Sequence, residues 1–505
     1  SSHGGYDGFY SMNFSWTASP PGQSYLLQVS TDPTFTTINN SSGWIAATNW
    51  TTTLTHPSGM TTVYYWRVQG KLFDGTTGPW STVRSFSIID YGSSSCPFLF
   101  VWNGETFVFE ADLYGAGKLA TKTKTGYLKP EPHDYYVLAN RPAAKDGVYE
   151  LRLVEERYEI NYLDELKLYA IDAPNNRRVF AEKPQAGGTA PFTELAAVLH
   201  TVATDAAVPS SIIHVNTGED VTAKLADDDE SFVVLNADKN IDFTYQTLEL
   251  DLGDIRQAPR VKIAMDAMSM FPDSPEGVAR SATFGARTIL EVQDEAGNWV
   301  KVPADKGALP KAPEFSRPYV FDISGIWISD RRKVRFTFLF KTYVDWIWVD
   351  TTENVPVTIT EVPMLSARLG QRGIDPKTSD EELYAYVYGE PTGRTAYLPG
   401  NYTRLGDVLP LLAAGDDQFV IYGGGDEIAM TFAPPGGPGP VMKRTFLVYT
   451  NGYYKDTKVD VPHTVEPLPF AGMSNFPYDE AVEKYPNDAE HEAYRANYNT
   501  RTVPP

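Results

Sequence analysis

Short segments in which apolar and polar residues alternate, separated by turn-forming residues, run along the whole chain. Tyr, Phe and Trp make up 13% of the 505 residues, and the chain contains 39 Gly and 37 Pro. Aromatic residues favour strands, whereas Gly and Pro end them. No internal repeat of the kind that builds propellers is visible. We therefore expect a mainly β protein, built of tandem β-sandwich domains with a few short helices.

The charge balance argues against two classes of partner. Asp and Glu number 64 against 43 Lys and Arg, which gives a formal net charge of −21. Nucleic acids and anionic membranes are bound by basic faces, so we expect neither partner. The most hydrophobic stretch, Val334–Val349, is interrupted by three charged residues, and no transmembrane segment is predicted. The single Cys96 allows no disulfide within these residues. This composition is typical of an extracellular or cell-surface protein, although a cytosolic protein can share it.

The first 90 residues consist of short strand patterns joined by turns. The most distinctive segments are Trp16, Tyr25–Ser30, Asp32-Pro33, Tyr65–Val68 and Gly78–Ser81. In these segments the chain resembles a fibronectin type III domain of the bacterial secreted kind. The resemblance implies a sandwich of that type over residues 1–91.

This sandwich is expected to lack its first strand. In the fibronectin type III family that strand precedes the one containing Trp16, and only the polar, Gly-rich residues 1–10 remain to supply it. A missing strand leaves an edge open to main-chain pairing. We expect a neighbouring copy to fill the gap with a terminal segment, either residues 1–10 or residues 501–505.

Two further modules follow in the sequence. Residues 92–239 are predicted to form a β-rich module, with a hairpin over 96–110 that turns at Asn103-Gly104 and a short helix over 193–203. Residues 240–352 are predicted to form another all-β module. Its succession of strands and turns is similar to galactose-binding-like jelly rolls.

Residues 353–505 are predicted to form a C-terminal β module with a helical tail over 488–497. Together with the hairpin at 96–110, this part resembles the C-terminal module of secreted bacterial FG-GAP proteins of the cartilage-acidic-protein-like class. The FG-GAP repeats themselves are absent from the sequence. The segments that carry the resemblance are Asn401–Val408, Phe446–Asp456, Thr464–Met473 and Tyr498–Arg501.

No catalytic motif stands out, and we predict that the protein is not an enzyme. None of the seven His residues has the spacing of a zinc site, and neither a nucleophile elbow nor a phosphate-binding loop is present. Calcium is the candidate cofactor, because a hard cation binds clustered carboxylates. Asp456 and Asp460 are the candidate ligands, and a solvated acidic loop is the alternative.

Two further sets of residues are candidates for contact with glycans. Trp346 and Trp348 alternate along one strand, so both rings lie on one face. There they either stack on sugar rings or fill a sandwich core, and we favour the core. Five Asn residues lie in Asn-x-Ser/Thr sequons and are candidate glycosylation sites: Asn13, Asn39, Asn40, Asn49 and Asn401.

These observations favour a structural function. We expect a secreted or cell-surface protein whose copies assemble into a filament or surface layer through inter-subunit strand contacts. The principal partner is then another copy of the chain. The alternative is a carbohydrate-binding or adhesion module of a secreted protein.

Overall fold

A computed structural model describes most of the chain, and its described residues fall into two compact units, one up to residue 93 and the other from residue 94. The described residues are 7–18, 24–57, 61–89, 97–120, 122–123, 126–127, 129–182, 195–235, 244–270, 284, 288–303, 305–310, 312, 316–374, 386, 395–456 and 463–504. Cys96 and Asp460 lie outside them. Antiparallel strands dominate both units, so the predicted mainly β class is confirmed.

The described residues of the N-terminal unit form seven strands in two sheets. They are β1 (Asp7–Ser15), β2 (Ser24–Ser30), β3 (Asn40–Ile45), β4 (Asn49–Pro57), β5 (Thr61–Lys71), β6 (Thr77–Trp80) and β7 (Arg84–Ile89). One sheet holds only β1 and β4, and the other has the order β3-β2-β5-β6, with β7 also on β5. Because β6 and β7 pair with successive parts of β5, they share one strand position. Phe14, Leu27, Val29, Leu54 and Tyr64 form much of its core.

The strand β1 begins earlier than the sequence predicts. Residues 7–10 belong to β1 and pair with residues 54–57 of the same unit. The prediction that the N-terminal arm donates a strand to another copy is therefore wrong for these four residues.

The second unit contains a sandwich built from two distant parts of the chain. Its strands are β8 (Phe98–Trp102), β9 (Phe107–Asp112), β10 (Lys122–Thr123), β11 (Gly126–Tyr127), β12 (His133–Val137), β13 (Ala144–Lys145), β14 (Val148–Val154), β15 (Glu159–Pro174), β16 (Arg177–Ala181) and β17 (Leu199–Ala203), then, after residue 353, β28 (Thr358–Val362), β29 (Met364–Gln371), β30 (Gly400–Tyr402), β31 (Gly406–Asp407), β32 (Val420–Gly423), β33 (Asp426–Phe432), β34 (Met442–Asp456) and β35 (Arg501–Val503).

Strands from both parts alternate within the two main sheets of this sandwich. One sheet has the order β31-β29-β33-β14-β8-β9, with β13 on β14, and the other the order β12-β34-β15-β28, with β32 on β15. A continuous apolar core lies between them. The predicted modules at 92–239 and 353–505 are thus one sandwich, because β14 pairs with β33 and β15 pairs with β34.

A second sandwich is inserted between these two parts. Its strands are β18 (Ser211–His214), β19 (Glu219–Asp220), β20 (Val233–Leu235), β21 (Gln246–Asp251), β22 (Lys262–Met270), β23 (Thr288–Gln293), β24 (Trp299–Lys301), β25 (Arg317–Asp322), β26 (Lys333–Phe338) and β27 (Lys341–Asp350). The sheets have the orders β19-β18-β21-β26-β23-β24 and β20-β27-β22-β25 and enclose their own core. The jelly-roll-like module thus begins near residue 211, not at the predicted residue 240.

The hairpin of β16 and β17 lies between the two sandwiches of this unit. Val179 and Leu199 pack on the sheet that contains β12, while Phe180 and Val202 pack on the sheet that contains β22. This placement corrects the helix predicted over 193–203. Of the described residues 195–203, only α1 (Leu195–Val198) is helical, and the strand that follows is buried on both faces.

The C-terminal tail is held within its own chain. Helix α2 (Ala489–Tyr498) is capped by Asp488, whose carboxylate accepts the N–H groups of Glu490 and His491. The strand β35 then pairs with β30. Residues 501–503 therefore do not act as the donor strand that the sequence suggested.

Candidate functional site

The candidate interaction site is the two-stranded sheet of the N-terminal unit, called the β1–β4 sheet below. Its two strands pair over nine residues each, with Asp7 opposite Pro57 and Ser15 opposite Asn49. Among residues 7–18, 24–57 and 61–89, neither strand has a second partner along its outer edge. An outer strand edge of this kind carries alternate main-chain N–H and C=O groups that are able to pair.

One face of this sheet fixes it to the core, and the other faces solvent. Phe14 and Leu54 are buried, and the Phe14 ring stacks on that of Trp50 with centroids 6.2 Å apart. On the opposite face Asn13 and Thr51 are exposed cross-strand neighbours, with Thr51 Oγ1 donating to Asn13 Oδ1 at 3.4 Å. The apolar contacts fix the register, so the edges are held in an extended, pairing-competent form.

The two outer edges carry few of the features that block edge pairing. Asp7 is the only charged residue in β1, β4 has none, and the only proline is the terminal Pro57. The five-stranded sheet opposite is better protected. Its edge strand β3 has a register shift against β2, and β6 is four residues long and contains Pro79. Bulges, prolines and short strands all discourage sheet-to-sheet association.

The calcium candidates are only partly described. Asp456 is buried at the end of β34, and its Oδ2 lies 2.5 Å from Lys118 Nζ. It also lies opposite Glu159, whose carboxyl pKa is raised by burial and by neighbouring carboxylates. The Asp456 charge is thus balanced by Lys118. Within the described ranges, no group of three or more His, Cys, Asp or Glu side chains is placed to hold a metal ion.

The two candidate sugar-stacking rings are covered by protein. Trp346 and Trp348 stack on each other with centroids 3.8 Å apart, and their side chains are 1% and 8% exposed. Phe180 packs on Trp346, and the Arg178 guanidinium lies 4.4 Å from the Trp348 ring centroid. The alternation is as predicted, but the rings fill the layer beneath the β16–β17 hairpin. This burial agrees with the core interpretation favoured from the sequence and argues against stacking of these rings on sugars.

The five sequons differ in accessibility. Asn13, Asn39, Asn49 and Asn401 are exposed, whereas Asn40 is half-buried and its Nδ2 donates to Thr52 Oγ1 at 3.0 Å. The sequons of Asn13 and Asn49 lie side by side on the exposed face of the β1–β4 sheet. Glycans on those two residues would cover that face but leave the main-chain edges free.

One buried ion pair was not identified from the sequence. Asp426, fully buried after the Gly423–Gly425 turn, accepts two hydrogen bonds from Arg501, at 2.8 and 2.6 Å. Tyr397 Oη and Gly423 N also donate to this carboxylate, at 2.7 and 3.0 Å. Asp426 follows a run of three glycines and Arg501 ends the segment Tyr498–Arg501, so both positions stand out in the sequence. No short-range sequence pattern indicates that the two residues form an ion pair. The arrangement fastens β35 to the core.

A buried carboxyl group lies next to this turn. Glu155 Oε1 accepts from Arg157 N at 2.5 Å, and its Oε2 accepts from Asn161 Nδ2 at 2.6 Å. Burial raises the pKa of Glu155 to about 7. Asn161 continues the chain of contacts, because its Oδ1 accepts from Tyr114 Oη at 3.2 Å.

A buried lysine has an amine pKa well below its usual range. Lys455 Nζ donates to the carbonyl oxygen of Thr464 at 2.7 Å and lies 5.1 Å from the ring centroid of Phe476. The residue is fully buried, and burial lowers the pKa of its amine to about 7, while the negative charge of Glu466 acts to raise it.

The structure contains no helix, in its described part, that is long and apolar enough to cross a membrane.

Comparison with known proteins gives only distant similarities. No family model matches the sequence, and no curated protein matches it. A solved allantoicase structure is 11% identical, with the match covering 43% of this chain and 81% of that chain at a TM-score of 0.18. The α-L-rhamnosidase from Dictyoglumus thermophilum is 10% identical over 71% of this chain and 47% of its own, at a TM-score of 0.14.

A second rhamnosidase, from Streptomyces avermitilis and complexed with L-rhamnose, is 10% identical. That match covers 67% of this chain and 37% of the rhamnosidase, at a TM-score of 0.13. The chain thus spans less than half of either rhamnosidase. TM-scores this low carry no inference about activity or ligand.

Proposed function

We propose that the protein is a secreted or cell-surface structural protein, without enzymatic activity, whose copies assemble by strand pairing at the β1–β4 sheet. The observation that carries the proposal is this sheet itself: nine paired residues per strand, and two outer edges with no partner in the described part of the chain. Main-chain pairing to such an edge gives affinity without special side chains.

The geometry of a two-stranded sheet determines what kind of assembly would result. Pairing of β1 with β1 of a second copy is an isologous contact, and it uses one edge of each molecule. The β4 edges of both copies then stay free and can pair with further copies. A molecule with two different self-complementary contacts can bind two other copies at once, so the assembly keeps growing. The expected product is therefore a filament or layer.

Charge modulates this assembly. A net charge of −21 makes copies repel one another, and salt screens that repulsion. The paired edges themselves are nearly uncharged. We therefore expect assembly to weaken at low ionic strength. Carbohydrate binding, the alternative function, would need a surface other than that of Trp346 and Trp348.

The test places one lysine on the exposed face of each edge strand. The double variant Asn13→Lys, Asn49→Lys is compared with the control Ser41→Lys, Thr77→Lys, in which both changed residues are exposed on strands of the other sheet. Both doubles change the net charge equally. Expression in a host without N-glycosylation removes any effect of losing sequons.

Light scattering after size-exclusion chromatography and negative-stain microscopy measure the outcome. We expect large particles from the wild type and the control, and folded monomers from the variant with lysines at positions 13 and 49. A wild type that stays monomeric at all concentrations and salt levels would refute the proposal, as would an edge variant that assembles like the wild type.

A further inference from the structure

A completely buried lysine lies against an asparagine amide in the inserted sandwich. Lys262, on β22, has no exposed surface, and its Nζ lies 3.1 Å from Asn354 Oδ1. The carboxylate of Asp350, Lys262's cross-strand neighbour on β27, lies 2.8 Å from the same nitrogen. Lys262 Nζ also donates to the carbonyl oxygen of Thr201. A buried amine and a buried carboxylate thus meet the half-buried Asn354 amide at one point.

The Asn354 amide is held on both of its polar atoms. Its Oδ1 accepts from Thr201 N at 3.1 Å as well as from Lys262 Nζ. Its Nδ2 donates to His200 Nδ1 at 3.3 Å, and His200 Nε2 in turn lies 2.8 Å from Glu182 Oε1. Hydrogen bonds to Oδ1 polarise the carbonyl group, and a fixed backbone N–H stabilises negative charge that develops on that oxygen.

The acid next to the amine is also fixed. Asp350 is 2% exposed, and its Oδ1 accepts from Thr352 N at 3.1 Å and from Thr352 Oγ1 at 2.8 Å. Thr201 and His200 are nearly as buried, at 3% and 5% exposed. These side chains lie in the layer between the sheet of β22 and the β16–β17 hairpin. Asn354 itself is half-buried. The reacting groups are held at hydrogen-bond distance, which favours an intramolecular reaction.

We propose that Lys262 and Asn354 become joined by an amide bond that the folded protein forms by itself. Asp350 accepts a proton from the lysine amine, and the Nζ lone pair attacks Cγ of Asn354. The charge that develops on Oδ1 is stabilised by Thr201 N–H. Asp350 then returns the proton to Nδ2, the Cγ–Nδ2 bond breaks, and ammonia leaves, finally as ammonium.

The reaction balances without a cofactor. A side-chain ammonium and a carboxamide are converted into a secondary amide and one ammonium ion, and nothing is oxidised or reduced. Lys262 is the nucleophile, Asp350 the general base and then acid, and His200 a positioning residue for the amide. The bond would connect β22 to the segment that follows β27 and close a loop across 92 positions. This inference is independent of the proposed function.

The alternative is a non-covalent ammonium group satisfied by Asp350, Asn354 and Thr201. Mass spectrometry of the wild-type chain under denaturing conditions separates the two. The cross-link predicts an intact mass lower than that of the sequence by one ammonia. It also predicts a branched tryptic peptide that joins residues 261–280 to residues 342–368, since acylated Lys262 resists trypsin.

Two variants and one internal control make the assignment specific. Lys262→Met should abolish both the mass loss and the branched peptide. Asn354→Asp should give the same branch, and its intact mass should fall by one water instead of one ammonia. Succinimide formation at Asn103-Gly104 also releases ammonia, but it leaves the two peptides separate. A wild-type chain of full sequence mass whose peptides 263–280 and 342–368 appear unlinked would overturn the proposal.

Discussion

Replacing the buried Lys455 by methionine should change how stability depends on pH. Lys455 Nζ has carbonyl oxygens and aromatic rings as neighbours, and burial lowers the pKa of its amine from 10.5 to about 7. Met has a similar length and no charge, so Lys455→Met removes the titrating group but keeps most of the packing.

The sign follows from the protons bound in each state. Between pH 7 and pH 10.5 the unfolded chain keeps the lysine proton while the folded chain has released it, so the unfolded state binds one proton more. The free energy of unfolding of the wild type therefore rises with pH across this window, by about 1.4 kcal/mol per pH unit. Over the whole window the contribution is at most about 5 kcal/mol.

Urea unfolding followed by tryptophan fluorescence at pH 7.5, 8.5 and 9.5 measures the effect. The stability of the wild type relative to Lys455→Met should rise by about 3 kcal/mol over these two pH units. Lys443→Met, an exposed change on the same strand, is the control and should follow the wild-type slope. A difference between wild type and Lys455→Met that does not vary with pH would refute the reasoning.

Two other perturbations test how the C-terminal part is held. Arg501→Met leaves the buried Asp426 carboxylate without its charged partner and should lower the free energy of unfolding by about 3–5 kcal/mol. Arg495→Met, which breaks an exposed ion pair, should cost less than about 1 kcal/mol in the same urea titration. Gly424→Ala places a Cβ against backbone carbonyl oxygens and should cost about 1–3 kcal/mol, whereas Gly436→Ala meets open space and should cost little. Equal effects of the two alanine substitutions would contradict the close packing of the Gly423–Gly425 turn.

Local patterns in the sequence predict the strands well. The segment Tyr25–Ser30 lies within β2, the hairpin at 96–110 corresponds to β8 and β9, and Asp345–Asp350 ends β27. These predictions succeed because side-chain alternation along a strand reports local burial. The predicted domain boundaries were wrong because they depend on contacts that are distant in sequence. The pairing of β14 with β33 joins residues more than 250 positions apart, and no local composition signals it.

The strand of Trp346 and Trp348 carries a further signal that supports the core interpretation favoured from the sequence. Alternation places both rings on one face, but Ile347 and Val349 on the other face are apolar too. Such a continuous apolar run is typical of a strand covered on both sides. Here the inserted core covers one side and the β16–β17 hairpin the other. The run therefore indicated a buried layer rather than a sugar platform.

The residues of the proposed cross-link could not be predicted to lie together from the sequence. Thr201 lies on the hairpin that precedes the inserted sandwich, Lys262 lies on an inner strand of that sandwich, and Asn354 follows its last strand. Each looks like a surface residue in its local context, because Lys, Thr and Asn are usually exposed. An inserted domain must leave and re-enter its host at one place, so its entry and exit segments are close together whatever their separation in sequence. That junction is where β17, β22 and the end of β27 meet, and a covalent link formed there would connect β22 of the insertion to the segment by which the chain leaves it.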